Sequence, residues 1–315
     1  MSKRLSHLGF VFPGQGSQQI GMLKAMSQMY PVVGEVFGLA SAALNKDLWE
    51  IAQFGPETVI NDTVNTQPLL LTASYALWQV WQKVNGVQPA LMAGHSLGEY
   101  SALVCAQSLS LTDAVKLVAM RGKFMQEAVP QGVGAMAAVI GMEDALLAEV
   151  CKTAAENEVV APVNLNAPGQ TVIAGHKSAV ERASALAKTK GAKKIIMLPV
   201  SVPSHCALMK PAADLLAQYL TNVRIESPKI PVIQNVNVEI SQHPDDIRAN
   251  LVKQLYQPVR WVETVQRLAS EGISVAFECG PGKVLCGLIK RISPDIKAMG
   301  IETPEELTTA SEILA

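Results

Sequence analysis

The segment Ala90-Leu91-Met92-Ala93-Gly94-His95-Ser96-Leu97-Gly98 runs from a short apolar stretch into a Gly-x-Ser-x-Gly turn, and the residues from Leu97 to Gln107 suit a helix. Strand, sharp turn and helix in that order are the setting of a nucleophile elbow. Such a turn forces the serine into a tight conformation with its hydroxyl exposed. The helix N-terminus then supplies N–H donors and the positive end of a dipole for a developing oxyanion. Ser96 is therefore the candidate nucleophile; the competing reading is a glycine-flanked serine that only caps the helix.

Upstream, the apolar run Leu8–Phe12 ends abruptly at Pro13-Gly14, the pattern of a second buried strand entering a loop. Downstream, strands are expected at Ile230–Asn235 and Ser274–Glu278, and helices at Leu208–Leu220, Asp245–Tyr256 and Val259–Glu271. This alternation predicts an α/β fold, with a mostly parallel sheet covered on both faces and its site at the C-terminal strand ends. Between Gly132 and Val200 the rhythm differs. Val133–Ile140, Glu143–Glu156, Val159–Leu165, Thr171–Ala174, Lys177–Lys190 and Lys193–Val200 read as β-α-β-β-α-β, the ferredoxin-like order. The 315 residues are thus expected to form one discontinuous large domain, 1–128 with 200–315, interrupted by a small domain at 129–199, with the site in the cleft between them.

Composition narrows the function. Hydrophobic residues at 49% and charged residues at 17% describe a chain able to build a substantial core. A net charge of -1 lacks the broad basic field of non-specific nucleic-acid binding. The longest apolar runs, such as Leu69–Leu71 and Ile195–Leu198, fall well short of the roughly 18 residues of a membrane span. Met1-Ser2-Lys3-Arg4 leads into a strand without a signal-peptide pattern, so a cytoplasmic protein is expected. Cys105, Cys151, Cys206, Cys279 and Cys286 include no C-x-x-C pair, and the five histidines show no metal-binding spacing, so metal-free chemistry without a cofactor is expected.

A serine hydroxyl needs a base within hydrogen-bond reach. His95 adjoins Ser96, but neighbouring side chains of an extended segment point opposite ways. His205, where the chain re-enters the larger sheet, is better placed, though a lone histidine is equally a surface or satisfied core residue. Winding Asp113–Ala128 at about 100° per residue puts Arg121 among Ala114, Leu117, Val118 and Met125 on the apolar face. A guanidinium there needs a structural carboxylate, a ligand carboxylate or phosphate, or a route to snorkel out. The loop Phe12-Pro13-Gly14-Gln15-Gly16-Ser17-Gln18 fits a dinucleotide fingerprint poorly, because Gln19 replaces its third glycine; it could instead offer a second oxyanion donor.

Taken in order, Phe12–Gln18, Gln67-Pro68, Gly94–Tyr100, Arg121-Gly122, Asn166–Gly175, Val202-Pro203-Ser204-His205 and Gly280-Pro281-Gly282 resemble the malonyl-CoA:acyl carrier protein transacylase family of bacterial type II fatty-acid synthesis, over essentially the whole chain. The resemblance implies an α/β-hydrolase-like large domain with a ferredoxin-like small one. It also implies a ping-pong transfer in which Ser96 accepts the acyl group and His205 serves as base and acid. Backbone N–H groups of Gln15 and Leu97 would form the oxyanion hole, a backbone carbonyl at Gln254 would orient the histidine, and Arg121 would clamp the malonyl carboxylate. Gln170 and Asn166 match polar positions near the family's acyl pocket. The implied partners are malonyl-CoA and an acidic acyl carrier protein, for which Lys188, Lys190, Lys193 and Lys194, or Lys283, Lys290 and Arg291, are candidate patches. A polyketide-pathway acyltransferase, a serine esterase or thioesterase, and a non-enzymatic carrier-docking module are the competing readings.

Overall fold

The computed structural model describes residues 3–200 and 202–314. It carries strands β1 (Arg4–Phe12), β2 (Gln88–Gly94), β3 (Gly134–Ile140), β4 (Val160–Ala167), β5 (Gln170–His176), β6 (Lys194–Met197), β7 (Val232–Ile233), β8 (Val275–Glu278) and β9 (Lys297–Gly300). They form two sheets, a parallel one in the order β7-β2-β1-β8-β9 and an antiparallel one in the order β4-β5-β3-β6.

β1 is central in the parallel sheet and is buried on both faces, which is why Leu8–Phe12 reads as an unbroken apolar run rather than an alternating one. Phe10 meets Trp78, Trp81 and Phe277 edge to face at 5.2, 5.4 and 5.6 Å. The register pairs Phe12 with Gly94, Val11 with Glu278 and Ala93 with Ile233, so β1, β2, β7 and β8 end together. Their following loops, at Pro13, His95, Gln234 and Cys279, therefore meet at one edge of the sheet.

The antiparallel sheet buries one face against the helices Asp144–Ala155 and Lys177–Thr189 through Val139, Leu147, Ile173 and Val180. Its other face packs Met136, Val163 and Val172 against Cys206, just beyond the segment that carries this sheet. β4 is also stitched to the larger body, because Leu165 N–H donates to the Val259 carbonyl and Val259 N–H to the Val163 carbonyl. The antiparallel sheet is thus tied through its edge strand β4 to the segment at Val259, which leads into the helix Trp261–Ser270.

Sequence expectations for most elements match to within a few residues; two strands are shorter than expected, and two elements had no counterpart. The strand expected over Ile230–Asn235 shrinks to Val232–Ile233, because the side chains of Gln234 and Asn235 turn to buried hydrogen bonds near the site. The strand expected over Lys193–Val200 stops at Met197, ahead of Pro199. β9 and the closing helix Pro304–Ile313 were not anticipated, although Thr303 and Glu306 form a full capping box at that helix.

Candidate active site

Ser96 holds φ 52° and ψ −108° between β2 and the helix Leu97–Cys105, and its side chain caps nothing. The capping alternative is not realised. The flanking glycines are required by close approach: a Cβ on Gly94 would lie 1.9 Å from the Gly98 carbonyl carbon, and one on Gly98 would lie 2.0 Å from the Phe12 oxygen. Asn235 pins the turn from both sides, accepting from Ser96 N–H at 2.8 Å and donating from Nδ2 to the Gly94 carbonyl at 2.7 Å.

His205 Nε2 lies 2.8 Å from Ser96 Oγ, and Nδ1 lies 2.6 Å from the Gln254 carbonyl. A carbonyl only accepts, so Nδ1 carries the proton and Nε2 presents its lone pair to the serine. Burial, reinforced by the nearby Arg121 charge, pushes the His205 pKa down to about 3 and keeps the ring neutral. His95 points away: its Nε2 is 2.8 Å from Asn166 Oδ1 and its ring packs against Trp261. Burial lowers its pKa as well.

Arg121, on the helix Leu111–Ala128, is 2% exposed. One terminal nitrogen donates to Gln67 Oε1 at 2.8 Å; the other donates to Gln254 Oε1 at 2.9 Å and lies 3.3 Å from Ser96 Oγ. The guanidinium also sits 5.3 Å from the Tyr100 ring centre, and its Nε finds no partner among the described residues. Its two strong acceptors are neutral amides. The carboxylate that acts on it, Glu99, is reached only through Gln254, whose Nε2 donates to Glu99 Oε2 at 2.8 Å. Burial pushes the Glu99 carboxyl up to about 7, while N–H donors from Gln254, Asn235 and Gln234 and the Arg121 charge pull the other way. The snorkelling alternative is excluded by this burial.

A cavity of about 120 Å³ opens over these groups, lined by Gln15, Ser96, Leu97, Arg121 and His205 and walled by apolar residues such as Met125 and Leu198. A second of about 120 Å³ adjoins it, lined by Gly14, Gln15, His95, Asn166 and Leu288. Asn166 thus faces the neighbouring cavity while bound to His95. Gln170 does not line the cavity over Ser96; its Oε1 accepts a hydrogen bond from Arg291 on the helix Val284–Ile292. In the second basic cluster Lys283 is paired with Glu306 at 2.5 Å. Among the described residues no group of three or more His, Cys, Asp or Glu could hold a metal ion, and all five cysteines are free.

The structure brings together the serine, the histidine and the arginine singled out in the sequence. Sequence reasoning missed the side chains of Gln254, Gln67, Asn235 and Glu99, which hold them. Gln67 and Glu99 stood within quoted motifs, Glu99 directly after the elbow and one helical turn beyond Ser96, and Gln254 was named for its backbone carbonyl alone. Chemically, the site offers a hydroxyl hydrogen-bonded to a neutral imidazole, beside a guanidinium whose strong contacts leave its charge uncompensated by direct ion pairing.

Residues 9–295 match the acyl transferase domain family. The malonyl CoA-acyl carrier protein transacylase of Escherichia coli (strain K12) is 56% identical over 309 residues, spanning 98% of this chain and 100% of that protein. The structure of the malonyl CoA-acyl carrier protein transacylase from Coxiella burnetii superposes with a TM-score of 0.96 at 51% identity, covering 97% of this chain and 96% of that one. A malonyl-transacylase solved in complex with a type II PKS acyl-carrier protein superposes equally well, with TM-score 0.96, 51% identity, and coverage of 98% of this chain and 99% of that one.

Proposed function

The chain belongs to the acyl transferase domain family, among its malonyl-CoA:acyl carrier protein transacylases, and from that membership we infer how its own residues carry the transfer. The protein moves malonyl from malonyl-CoA to the phosphopantetheine thiol of acyl carrier protein. The observation that carries the residue assignment is the position of Ser96 Oγ, 2.8 Å from His205 Nε2 and 3.3 Å from an Arg121 terminal nitrogen.

Ser96 Oγ attacks the malonyl thioester as its proton passes to His205 Nε2, and the Gln15 and Leu97 backbone N–H groups receive the carbonyl oxygen's developing charge. Collapse breaks the C–S bond; His205 returns the proton to the departing CoA thiolate, leaving a malonyl ester on Ser96. The carrier thiol then attacks that ester, giving its proton to His205, which passes it back to Ser96. The Gln254 carbonyl keeps Nδ1–H oriented throughout, so no carboxylate is needed as a third member. Arg121 binds the malonyl carboxylate, and the pairing offsets the positive charge that depresses His205, raising its basicity once substrate is bound. An acetyl group leaves the guanidinium without that partner, which is the source of selectivity. Neither metal nor cofactor has a role in these steps.

The same reading divides the chain into an α/β-hydrolase-like large domain, 1–128 with 200–315, and a ferredoxin-like small domain, 129–199. The strand order β4-β5-β3-β6, antiparallel throughout with two helices on one face, supports the second part. A cytoplasmic location completes the proposal; among the described residues no helix is long and apolar enough to cross a membrane.

The test is the fate of enzyme preloaded with malonyl and freed of CoA. Addition of the phosphopantetheinylated carrier should move malonyl to its thiol within the mixing time, with slow release to water in its absence. Rapid loss to water, indifferent to carrier, would instead identify a thioesterase.

A further inference from the structure

Behind the reacting groups lies a buried polar chain that the transfer steps do not use. Glu99 is 1% exposed; its Oε2 accepts from Asn235 N–H at 3.0 Å and from Gln254 Nε2 at 2.8 Å, and its Oε1 accepts from Gln234 Nε2 at 3.3 Å. The Gln254 side chain is fully buried, and its orientation is fixed at both ends. Nε2 also donates to the Ser96 carbonyl at 3.0 Å, an atom that only accepts, and Oε1 accepts from Arg121, which only donates. Both Nε2 hydrogens are therefore used, one on Ser96 and one on Glu99.

Loss of the Glu99 acceptor would strand a buried N–H of Gln254, a costly state, and would remove one of the contacts that hold the amide against rotation. Any such rotation would withdraw Oε1 from Arg121 and leave the guanidinium with Gln67, the weaker Ser96 contact and the Tyr100 ring. The neutral amide has a second effect. It keeps Glu99 one step away from Arg121, so the guanidinium is oriented by a carboxylate without pairing with it.

We propose that Glu99 and the Gln254 side chain form a positioning relay that aims the Arg121 guanidinium at the substrate carboxylate, and thereby set the preference for malonyl over uncharged acyl groups. The relay rests on the reading of Arg121 as the carboxylate clamp. Glu99 touches no substrate; it acts through Gln254, whose backbone carbonyl holds His205 independently of its side chain. A purely structural role for Glu99 would lower malonyl and acetyl loading together. A relay lowers their ratio.

The experiment measures initial rates of Ser96 loading from malonyl-CoA and from acetyl-CoA by intact-protein mass spectrometry, and reads the ratio. Glu99→Ala and Gln254→Leu should each lower it by about tenfold or more, the scale of a lost hydrogen bond to a charged group, and the double variant should lower it no further. Glu99→Gln can place its carbonyl where Oε2 lies and should keep the ratio within about threefold of native. An unchanged ratio in Glu99→Ala or Gln254→Leu, or losses that multiply in the double variant, would overturn the relay. If Glu99→Ala does not fold, loss in Gln254→Leu with retention in Glu99→Gln supports it and any other pairing overturns it. Arg121→Ala separates the two readings. An unchanged ratio there removes the clamp itself, whereas a fall there without a fall in the relay variants removes only the relay.

Discussion

Ser96 at φ 52° and His205 at φ 64° are both non-glycine residues in left-handed backbone, and they face each other across the reacting hydrogen bond. Strain of this kind persists only where surrounding contacts over-determine it. Here those contacts are Asn235 on the elbow and the hydrogen bond from His205 N–H to the Leu255 carbonyl. The histidine is also held neutral against its chemistry. Its pKa in the fold, about 3, lies below the ordinary 6.5, so between those values the unfolded chain binds a proton that the folded chain refuses. Its share of stability is therefore present above about 6.5 and is lost as pH falls toward 3. Relative to a His205→Gln variant, the native protein should lose unfolding free energy on acidification through that window, at a slope approaching about 1.4 kcal/mol per pH unit. Denaturant unfolding of both proteins across the window checks this; a pH-independent difference would contradict a ring buried neutral. At this scale the sequence disclosed Ser96 and Arg121, the first through its glycine spacing and the second through a charge on an apolar face. Gln254 and Asn235 were invisible as side chains because a buried amide leaves no periodic mark; its importance lies in which atoms converge on it.

The elements show why the elbow is narrow. β1 and the helix Leu97–Cys105 approach so closely that only glycine fits at position 98, where a Cβ would lie 2.0 Å from the Phe12 oxygen and 3.0 Å from the Pro13 oxygen. Both are backbone atoms of a central strand end and cannot move aside as a flexible side chain would. Gly98→Ala should destabilise the protein by about 1–3 kcal/mol or more, as overpacking does, and displace Ser96 from His205. Thermal unfolding should show the loss, and Ser96 loading should fall more steeply than the folded fraction; native stability with native loading would contradict the close-packing account. Period and punctuation made the larger elements readable, including the strand–turn–helix at Ser96 and the Arg121 helix. They failed at β7, where Gln234 and Asn235 continue an extended-looking run but spend their side chains on Glu99 and the elbow. β9 was lost for a different reason: with Lys297 and Gly300 at its ends it has too short an apolar core to stand out from a loop.

Across the whole molecule, the register that ends four parallel strands together brings residues from distant parts of the chain into one cleft. Gln15, Ser96, Arg121 and His205 line it from separate loops and helices, with Gln254 buried behind them, and the seam between β4 and Val259 sets the antiparallel sheet beside them. The order of elements announced an α/β body with a differently patterned stretch inside it, but the seam depends on backbone pairing between segments nearly a hundred residues apart, which local patterns cannot reveal. The proposal at the centre of this geometry is that Ser96 Oγ accepts the malonyl group. The direct measurement is peptide-mapped mass spectrometry after mixing the protein with malonyl-CoA and no carrier. Native protein should carry one malonyl group on the peptide containing Ser96, and Ser96→Ala should carry none; a stable malonyl adduct on the Ser96→Ala protein would contradict the account.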